Sequence, residues 1–416
     1  MKIAIAGAGI GGLALALMLH KRGIETEIWE SVEEVRALGV GINLLPHAVR
    51  ELNELGLQEK LAEIGIRTST LSYYNQHGQP IWSEPRGLSA GYEWPQFSIH
   101  RGALQAALLH AANDRIGADR IHHGHAAESF VQDEDGVVLT LRRRSDGQAV
   151  ESRADVLVGA DGIHSAIRRR IHPVGDEPRY SGRMLWRAIT EAAPFADGRT
   201  MFMAGHQDQK FVCYPISEPL RQQGRSLLNW IAELRVGEGT INTDWNRKVD
   251  KSLFADRFAD WKWDWIDIPS VIASAEAIFE FPLVDRDPLP RWTVGRVTLL
   301  GDAAHPMYPI GSNGSAQAIL DARYLADCLL ESIQHRSDVG YALKEYEAER
   351  LPRTAAIVLR NRMNGPEQVM QLAHERAPDG FESIEQVIPY AEREAISLRY
   401  KRLAGFDKQS LQENRR

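Results

Sequence analysis

The chain has 416 residues, 44% of them hydrophobic and 25% charged, which is typical of a folded globular protein and atypical of a disordered one. Its formal net charge of −7, with acids and bases interspersed, argues against a nucleic-acid-binding surface, and no apolar stretch approaches the roughly 18 residues of a membrane span. The two cysteines, Cys213 and Cys328, form neither a disulfide framework nor a zinc motif, so we expect a cytoplasmic protein. The length predicts two domains or one large composite domain.

The N-terminal segment carries a dinucleotide-binding pattern. Residues 2–6 predict a buried strand and residues 12–22 predict a helix. The loop between them contains a G-x-G-x-x-G sequence and one further glycine, at Gly7, Gly9, Gly11 and Gly12. Such glycines permit a tight turn, close approach of the backbone to a pyrophosphate and close helix packing. A second strand over 24–29 ends at Glu30, where an acid can bind a ribose, so the pattern predicts a dinucleotide with an unphosphorylated ribose.

Two later strands also end in glycine and aspartate. The residues concerned are Asp161, Gly162, Gly301 and Asp302. The first pair lies in residues 155–170, with a helix predicted from about Ser165; the second follows a strand at 297–300 and precedes a helix predicted over 316–330. Each taken alone fits an ordinary turn with an aspartate cap. Three glycine-marked strand ends in one chain indicate a single ligand held at several places.

These motifs, in this order and spacing, resemble those of the class A flavoprotein aromatic hydroxylases, which are FAD-dependent monooxygenases. The resemblance covers about residues 1–360. It implies an α/β fold with a glutathione-reductase-type Rossmann domain for FAD, a smaller mixed or antiparallel sheet domain for the substrate, and C-terminal helices. The implied division assigns residues 1–72, 100–175 and 286–365 to the FAD domain, 73–99 and 176–285 to the substrate domain, and 366–416 to the helical segment.

The resemblance also implies which residues bind FAD. Glu30 would hold the adenosine ribose, and Arg101 would contact the ribose and pyrophosphate region. Asp302 would bind the ribitol or pyrophosphate. Asp161 is the motif residue associated with the FAD pyrophosphate and with NAD(P)H.

The flavin ring would lie between two glycine-containing segments. Arg36 and the glycines up to Gly41 would lie beside the isoalloxazine. On its other side comes a loop constrained by Pro309, Gly311, Asn313 and Gly314. The helix after this loop would point its N-terminal amides at the part of the ring that becomes negative on reduction.

The hydride donor has no domain of its own, because no second G-x-G-x-x-G follows a strand. NADH or NADPH would therefore bind transiently, reduce FAD and leave. In the family that the chain resembles, O2 then forms a C4a-hydroperoxyflavin, which hydroxylates an electron-rich ring.

The region from 180 to 290 contains the residues expected to bind the substrate. Stretches such as SLLNW (226–230) and FPLVDRDPLPRW (281–292) resemble the phenazine monooxygenases of pyocyanin biosynthesis. This implies hydroxylation of a phenazine-like N-heteroaromatic, with or without loss of a ring carboxylate. We predict an antiparallel sheet here, with Tyr214, Arg187 and Met184 in the pocket. Arg187 is included because a ring carboxylate is best held by a cation that forms two hydrogen bonds.

Six tryptophans fall in the same region, and they have two interpretations. They are Trp186, Trp230, Trp245, Trp261, Trp263 and Trp265. Aromatic side chains suit a flat apolar substrate, but tryptophans more often fill a core, and we favour the core for the last three.

The sequence does not identify a catalytic base. Asn43 stands where salicylate and hydroxynicotinate hydroxylases often carry a histidine, and His47 is expected to pack against or cap a helix. No metal site is predicted, because His123 and His125 have no neighbouring cysteine and fit a solvated strand end. The basic run 168–170 is interpreted as a solvated helix face.

The same sequence features are compatible with three other functions. They are a salicylate or hydroxybenzoate-type hydroxylase, a flavin oxidase or dehydrogenase that inserts no oxygen, and a flavin-binding sensor without turnover. The expected partners are a small aromatic substrate and O2, with no nucleic acid or membrane, and the protein would be a monomer or a homodimer.

Overall fold

The computed structural model describes residues 1–34, 40–237 and 247–413. The first seven strands are β1 Lys2–Ala6, β2 Glu25–Trp29, β3 Gly41–Leu44, β4 Ile66–Arg67, β5 Thr70–Tyr74, β6 Pro80–Pro85 and β7 Phe97–His100. The next seven are β8 Ile121–His122, β9 His125–Gln132, β10 Val137–Arg143, β11 Ala149–Ala154, β12 Val156–Gly159, β13 Arg179–Ala192 and β14 Thr200–His206. The last are β15 Gln209–Pro215, β16 Ser226–Arg235, β17 Lys248–Val249, β18 Lys262–Trp263, β19 Ile266–Asp267, β20 Ile278–Asp285 and β21 Val297–Leu299.

Helices alternate with these strands and follow them. Up to residue 273 they are α1 Ile10–Lys21, α2 Pro46–Glu54, α3 Gln58–Ile64, α4 Arg101–Ile116, α5 Ala166–Ile171, α6 Glu218–Gln222 and α7 Ile268–Ala273. The later helices are α8 Gly314–His335, α9 Val339–Arg362, α10 Gln368–Arg376, α11 Ile384–Val387, α12 Tyr390–Ala404 and α13 Lys408–Glu413. None of the helices in the described ranges is long and apolar enough to cross a membrane.

A five-stranded parallel sheet forms the first layer, in the order β21-β12-β1-β2-β8. Its central strands are apolar on both faces, since residues 3–6 and 156–159 are all buried, as expected for a parallel sheet covered on both sides. Helix α1 packs against both α4 and α8, while the antiparallel sheet β11-β10-β9 lies next to β1 and β2. The predicted Rossmann-type α/β fold is confirmed. The helix after the second glycine turn is longer than predicted and begins at Gly314 rather than at 316.

The second layer is an eight-stranded mixed sheet, β17-β20-β13-β16-β15-β14-β5-β6, in which only β14 and β5 pair in parallel within the described ranges. One face packs against α10 and α12 and carries Leu185, Met203 and Val212. The opposite face forms a separate aromatic core around Trp230 and Phe211. A small sheet, β3-β7-β4, lies between the two layers. A large cavity runs between the edge of the parallel sheet and the first face of the mixed sheet.

Candidate active site

The glycine loop forms one wall of this cavity. Gly9 and Gly12 line it, with Gly11 between them. Gly7 adopts a φ of +111°, and its N–H donates to the carbonyl of Trp29 at 2.7 Å. A Cβ on Gly12 would collide with the carbonyl oxygen of Gly7, whereas a Cβ on Gly9 would meet nothing within 4 Å. Gly12 therefore serves packing, and Gly9 leaves room for a ligand against the N-terminus of α1, where amides suited to an anion are exposed.

Glu30 closes the same loop from the end of β2. Its carboxylate accepts hydrogen bonds from the backbone N–H of Ala8 at 2.7 Å and of Val32 at 2.9 Å. The side chain is buried and held in one position beside the glycine loop. Such a fixed acid is suited to bind ribose hydroxyls, the role that the family resemblance implies for it.

Asp161 is used locally, as the cap of a helix. It accepts from the Ser165 hydroxyl at 2.5 Å and from the N–H of Ala166 at 2.7 Å, at the start of α5. Burial raises the pKa of this carboxyl. Its neighbours Ala160 and Gly162 line the cavity, so the Asp161 turn contributes to the wall through its backbone.

The Gly301-Asp302 turn brings an acid into the cavity. Gly301 has a φ of +60°, and Asp302, which follows it, lines the cavity near Arg101. The side chain of Asp302 is open to the cavity but otherwise surrounded by protein, and this desolvation raises its pKa. No hydrogen bond of the Asp302 side chain is found among the described residues, so its oxygens are free to accept from a ligand.

Two buried networks support this turn, and the sequence analysis missed both. Asp321, on α8, accepts from the N–H of Gly301 at 3.1 Å, from Nε2 of His305 at 2.5 Å and from Nε of Arg350 at 2.8 Å. Although burial alone would raise the pKa of Asp321, His305 and Arg350 hold it below the usual value.

The second network corrects the interpretation of the basic run. Arg168 is only 1% exposed; it pairs with Asp176 and donates to the carbonyls of Ala303 at 3.1 Å and Ala304 at 2.9 Å. The solvated-face interpretation is therefore wrong for Arg168. It holds only for Arg169 and Arg170, which are exposed.

The loop before α8 is shaped by the C-terminal segment. Pro309, Asn313 and Gly314 line the cavity. Gly311 lies outside the main cavity; it has a φ of +70° and packs directly against the ring of Tyr400, where any side chain would collide. Nδ2 of Asn313 donates to the Tyr400 hydroxyl at 3.1 Å. The glycine at 311 therefore fits the loop to α12, and its contact with the cofactor stays a prediction.

The mixed sheet supplies the opposite wall. Side chains at alternate positions of its strands line the cavity, namely Leu185, Arg187, Met201, Met203, Val212, Tyr214 and Ile231. Met184 has the opposite parity and packs into the aromatic core on the other face, so its predicted place in the pocket is wrong. The five described tryptophans of the region lie in or against the same aromatic core, which supports the core interpretation. The sixth, Trp245, lies outside the described residues.

Polar groups converge at the inner end of this wall, beside Gly41. The N–H of Gly41 donates to Oδ1 of Asn229 at 2.5 Å, and its carbonyl accepts from Nη2 of Arg187 at 3.1 Å. Burial raises the pKa of the adjoining Tyr214 to about 12, so its hydroxyl stays protonated. Nε of Arg187 is buried without a hydrogen-bond partner among the described residues, while the Tyr214 hydroxyl interacts with the side chains of both Arg187 and Asn229. Arg36, which was predicted to lie nearby, is outside the described residues, as are Leu38 and Gly39.

A charged quartet was also missed; three of its members line the same cavity further along, and Arg183 reaches it only through Glu233. It consists of Arg183, Lys210, Glu233 and Glu367. Nζ of Lys210 lies 2.9 Å from Glu233 and 2.6 Å from Glu367, and Nη1 of Arg183 lies 3.2 Å from Glu233. A sequence signal existed, because Lys210 shares its parity with Val212 and Tyr214, and Glu233 shares its parity with Ile231.

His47 packs rather than reacts. It is 1% exposed on α2 and stacks on Phe406, with ring centroids 5.6 Å apart. Burial and the neighbouring charges of Arg50 and Arg350 lower its pKa to about 3. Asn43 lines the cavity and accepts from the Ser98 hydroxyl at 2.6 Å. The described cavity wall therefore places no histidine in a position to act as base.

These features fit FAD: an open position at Gly9 against a helix N-terminus, a fixed acid at Glu30, and an acid at Asp302 whose side chain has no hydrogen bond to any described residue. The profile of the family described as "FAD binding domain" matches residues 1–361. The chain belongs to this family. It is an FAD-dependent aromatic monooxygenase, as its relatives are, and NAD(P)H is the usual hydride donor of such enzymes.

Individual relatives agree with this assignment. The chain is 46% identical to phenazine 1,6-dicarboxylic acid hydroxylase PhzS of Lysobacter antibioticus, over 86% of this chain and 89% of that protein. It is 31% identical to 6-hydroxynicotinate 3-monooxygenase of Pseudomonas fluorescens, over 86% and 89% of the two chains. The fold matches Klebsiella pneumoniae HpxO, solved with FAD and uric acid, with a TM-score of 0.74 at 23% identity, covering 98% of this chain and 96% of that one. The predicted resemblance to the class A hydroxylases is confirmed.

Proposed function

We propose that the enzyme converts an aromatic carboxylate of the phenazine type into the corresponding phenol, with loss of the carboxylate. The balanced reaction is ArCOO⁻ + O2 + NAD(P)H + 2 H⁺ → ArOH + CO2 + NAD(P)⁺ + H2O. One atom of O2 enters the new hydroxyl and the other leaves as water. Bound FAD would supply the hydride acceptor and the activation of oxygen.

The observation that carries this proposal is the polar group beside Gly41. Arg187 is a half-buried cation whose Nε has no hydrogen-bond partner among the described residues, and Tyr214 next to it is a protonated donor. A ring carboxylate placed here would receive charge-assisted hydrogen bonds, while Leu185, Val212 and Ile231 would contact the ring faces. The name of the Lysobacter relative supports the same class of substrate.

The cofactor roles are part of the same proposal. We infer that Gly9, Gly12 and Glu30 hold the adenosine and pyrophosphate half of FAD, and that Arg101 and Asp302 hold the ribityl half. Gly41, Pro309, Asn313 and Gly314 would enclose the flavin ring. The aspartate cap at Asp161 would keep the adjoining turn, with Gly162, in place.

The domain division also stays a proposal. It is supported by the mixed sheet, whose strands come from residues 70–85 and 179–285. A cytoplasmic location is proposed because reduced nicotinamide cofactors are supplied there, and a monomer or homodimer remains the expected assembly.

The test uses FAD-loaded protein with phenazine-1-carboxylate, NAD(P)H and labelled dioxygen. We expect substrate-stimulated NAD(P)H oxidation, release of CO2 and one labelled atom in the product. In Arg187→Met the Kd for the carboxylate should rise about tenfold to hundredfold, since a hydrogen-bonded charge is removed. Arg235→Met, on the neighbouring strand and exposed, should bind as the wild type does.

Three results would contradict the proposal. Stimulation by salicylate or 3-hydroxybenzoate but not by phenazine carboxylates would favour a hydroxybenzoate-type enzyme. NAD(P)H oxidation without labelled product would indicate an oxidase or dehydrogenase. An equal loss of binding in both arginine variants would show that Arg187 does not bind the carboxylate.

A further inference from the structure

The charged quartet lies at the opposite end of the cavity wall from Arg187 and Gly41. On β15, Lys210 is four residues from Tyr214, roughly 13 Å along a strand, and both side chains line the cavity. Glu233 pairs with Lys210 across the sheet, and Glu367 reaches the cavity from the segment between α9 and α10. The two polar ends of the wall are separated by Val212, Ile231 and Leu185.

Such a quartet is costly where it stands. Lys210, Glu233 and Glu367 are 4%, 3% and 6% exposed, so all three charges have lost most of their hydration. Replacing buried ion pairs by apolar side chains of similar volume is often neutral or stabilising, so stability alone does not account for them. Nε of Arg183 is also buried without a hydrogen-bond partner among the described residues. Of the two cations, Lys210 is the one that lines the cavity and can donate to a polar ligand group there.

The charge balance of the quartet limits what it can bind. Two cations face two carboxylates, so an added anion would leave a net negative charge in a buried place. Burial raises the pKa of Glu367, so its carboxylate takes up a proton more readily than an exposed glutamate does. The charged groups facing it are Lys210, Glu233 and Arg183, and the phenols of Tyr73 and Tyr400 lie near it. Nζ of Lys210 has three hydrogens and two carboxylate partners, so one hydrogen remains for a further carboxylate, and a neutral Glu367 would offset the added negative charge.

We propose that the quartet binds the distal carboxylate of an aromatic dicarboxylate, with Glu367 taking up one proton from solvent as Lys210 donates to that carboxylate. The quartet thereby selects diacids over monoacids. This inference rests on the proposed function, in which Arg187 holds the carboxylate that is lost.

The test compares phenazine-1,6-dicarboxylate with phenazine-1-carboxylate on FAD-loaded protein without NAD(P)H. Flavin difference spectra give Kd, and calorimetry in buffers of different ionisation enthalpy gives the protons taken up. At mildly alkaline pH we expect binding of the diacid to take up as much as one proton more than binding of the monoacid. The ratio of the monoacid Kd to the diacid Kd should fall as the pH rises. Glu367→Gln, which imitates the protonated acid, should abolish the extra uptake and favour the diacid further.

Lys210→Met should reduce the diacid preference about tenfold to hundredfold, because one charge-assisted hydrogen bond is lost. Lys262→Met, an exposed lysine on β18, is the matched control and should leave the preference unchanged. Equal proton uptake for both acids together with an unchanged preference in Glu367→Gln would overturn the proposal and leave the quartet as an anchor for the C-terminal segment. Failure of both acids to bind would instead count against the proposed function, so the two failures are distinguishable. If Lys210→Met does not fold, the isosteric Glu367→Gln still decides the question.

Discussion

Single residues of the glycine loop have separable roles. Gly9 and Gly12 belong to the same motif, yet a methyl group on Gly9 would point into open space and one on Gly12 would collide with the backbone of Gly7. Of the two, only at Gly9 does the missing side chain leave room for a ligand. The motif therefore combines a binding requirement with a folding requirement three residues apart.

This difference gives a prediction for two alanine variants. Gly9→Ala should weaken FAD binding about tenfold to hundredfold by displacing the pyrophosphate from backbone donors, with the stability of the apoprotein unchanged. Gly12→Ala should lower the free energy of unfolding of the apoprotein by about 1–3 kcal/mol through overpacking. Fluorescence titration of apoprotein with FAD and urea denaturation measure the two effects. An equal loss of stability in both variants would refute the distinction.

The sequence placed a residue correctly beside the cavity where its local pattern decides its position, and misplaced it where the position depends on register or on distant partners. The glycine spacing, Glu30 and the Gly301-Asp302 turn are local patterns. Met184 was wrong because a shift of one residue in a strand exchanges the two faces of a sheet, and the sequence does not fix that register. Arg168 was wrong because the carbonyls that it binds lie about 135 residues away in the chain.

At the scale of secondary-structure elements, α8 does more than present its N-terminus to the cavity. Its buried face carries Asp321, which receives hydrogen bonds from Gly301, His305 and Arg350. The helix thus fixes the turn that holds Asp302. The sequence predicted the helix and the turn, but their connection requires three segments to meet in the fold.

Asp321→Asn should therefore lower the free energy of unfolding by about 3–5 kcal/mol, because Arg350 would remain as a buried cation without its carboxylate. FAD affinity should fall as well, since the Gly301 turn loses its acceptor. Asp327→Asn, on the same helix but partly exposed and paired with Arg22 and Arg323, should cost less than about 1 kcal/mol. Urea denaturation of apoprotein and FAD titration are the measurements, and similar costs for both variants would contradict this role of Asp321.

At the scale of the whole molecule, the C-terminal segment completes the site from outside the Rossmann layer. Tyr400 of α12 shapes the loop at Gly311, and Glu367 closes the end of the cavity. The sequence predicted helices over the domain junction but not these contacts, because a segment with regular helical character does not reveal which of its side chains point inward. The segment is held to the mixed sheet by Glu84 on β6, which accepts from Ser397 at 2.6 Å and from Lys401 at 2.7 Å.

Glu84 also makes this attachment dependent on pH. Although burial alone would raise its pKa, Arg86 and Lys401 lower it to about 2, against an ordinary value of 4.5. Because Glu84 binds a proton less readily in the folded state than in the unfolded state, the stabilisation by its charged carboxylate is complete above pH 4.5. It is lost as the pH falls towards 2. Glu84→Gln should therefore lower the free energy of unfolding by about 3 kcal/mol at neutral pH, and the gap to the wild type should narrow below pH 4.5.

The same variant should expose residues 366–413 to limited proteolysis and weaken FAD binding, since α12 would no longer hold Tyr400 against the loop before α8. Glu128→Gln, which breaks an exposed pair with Arg142, is the control and should change neither measurement. If the difference in free energy of unfolding between the wild type and Glu84→Gln were the same at neutral and acid pH, the charge of the Glu84 carboxylate would not be what holds the C-terminal segment to the mixed sheet. The effect on FAD would then have to come from altered hydrogen bonding alone, and Ser397→Ala, which removes one hydrogen bond to Glu84 and no charge, should reproduce it.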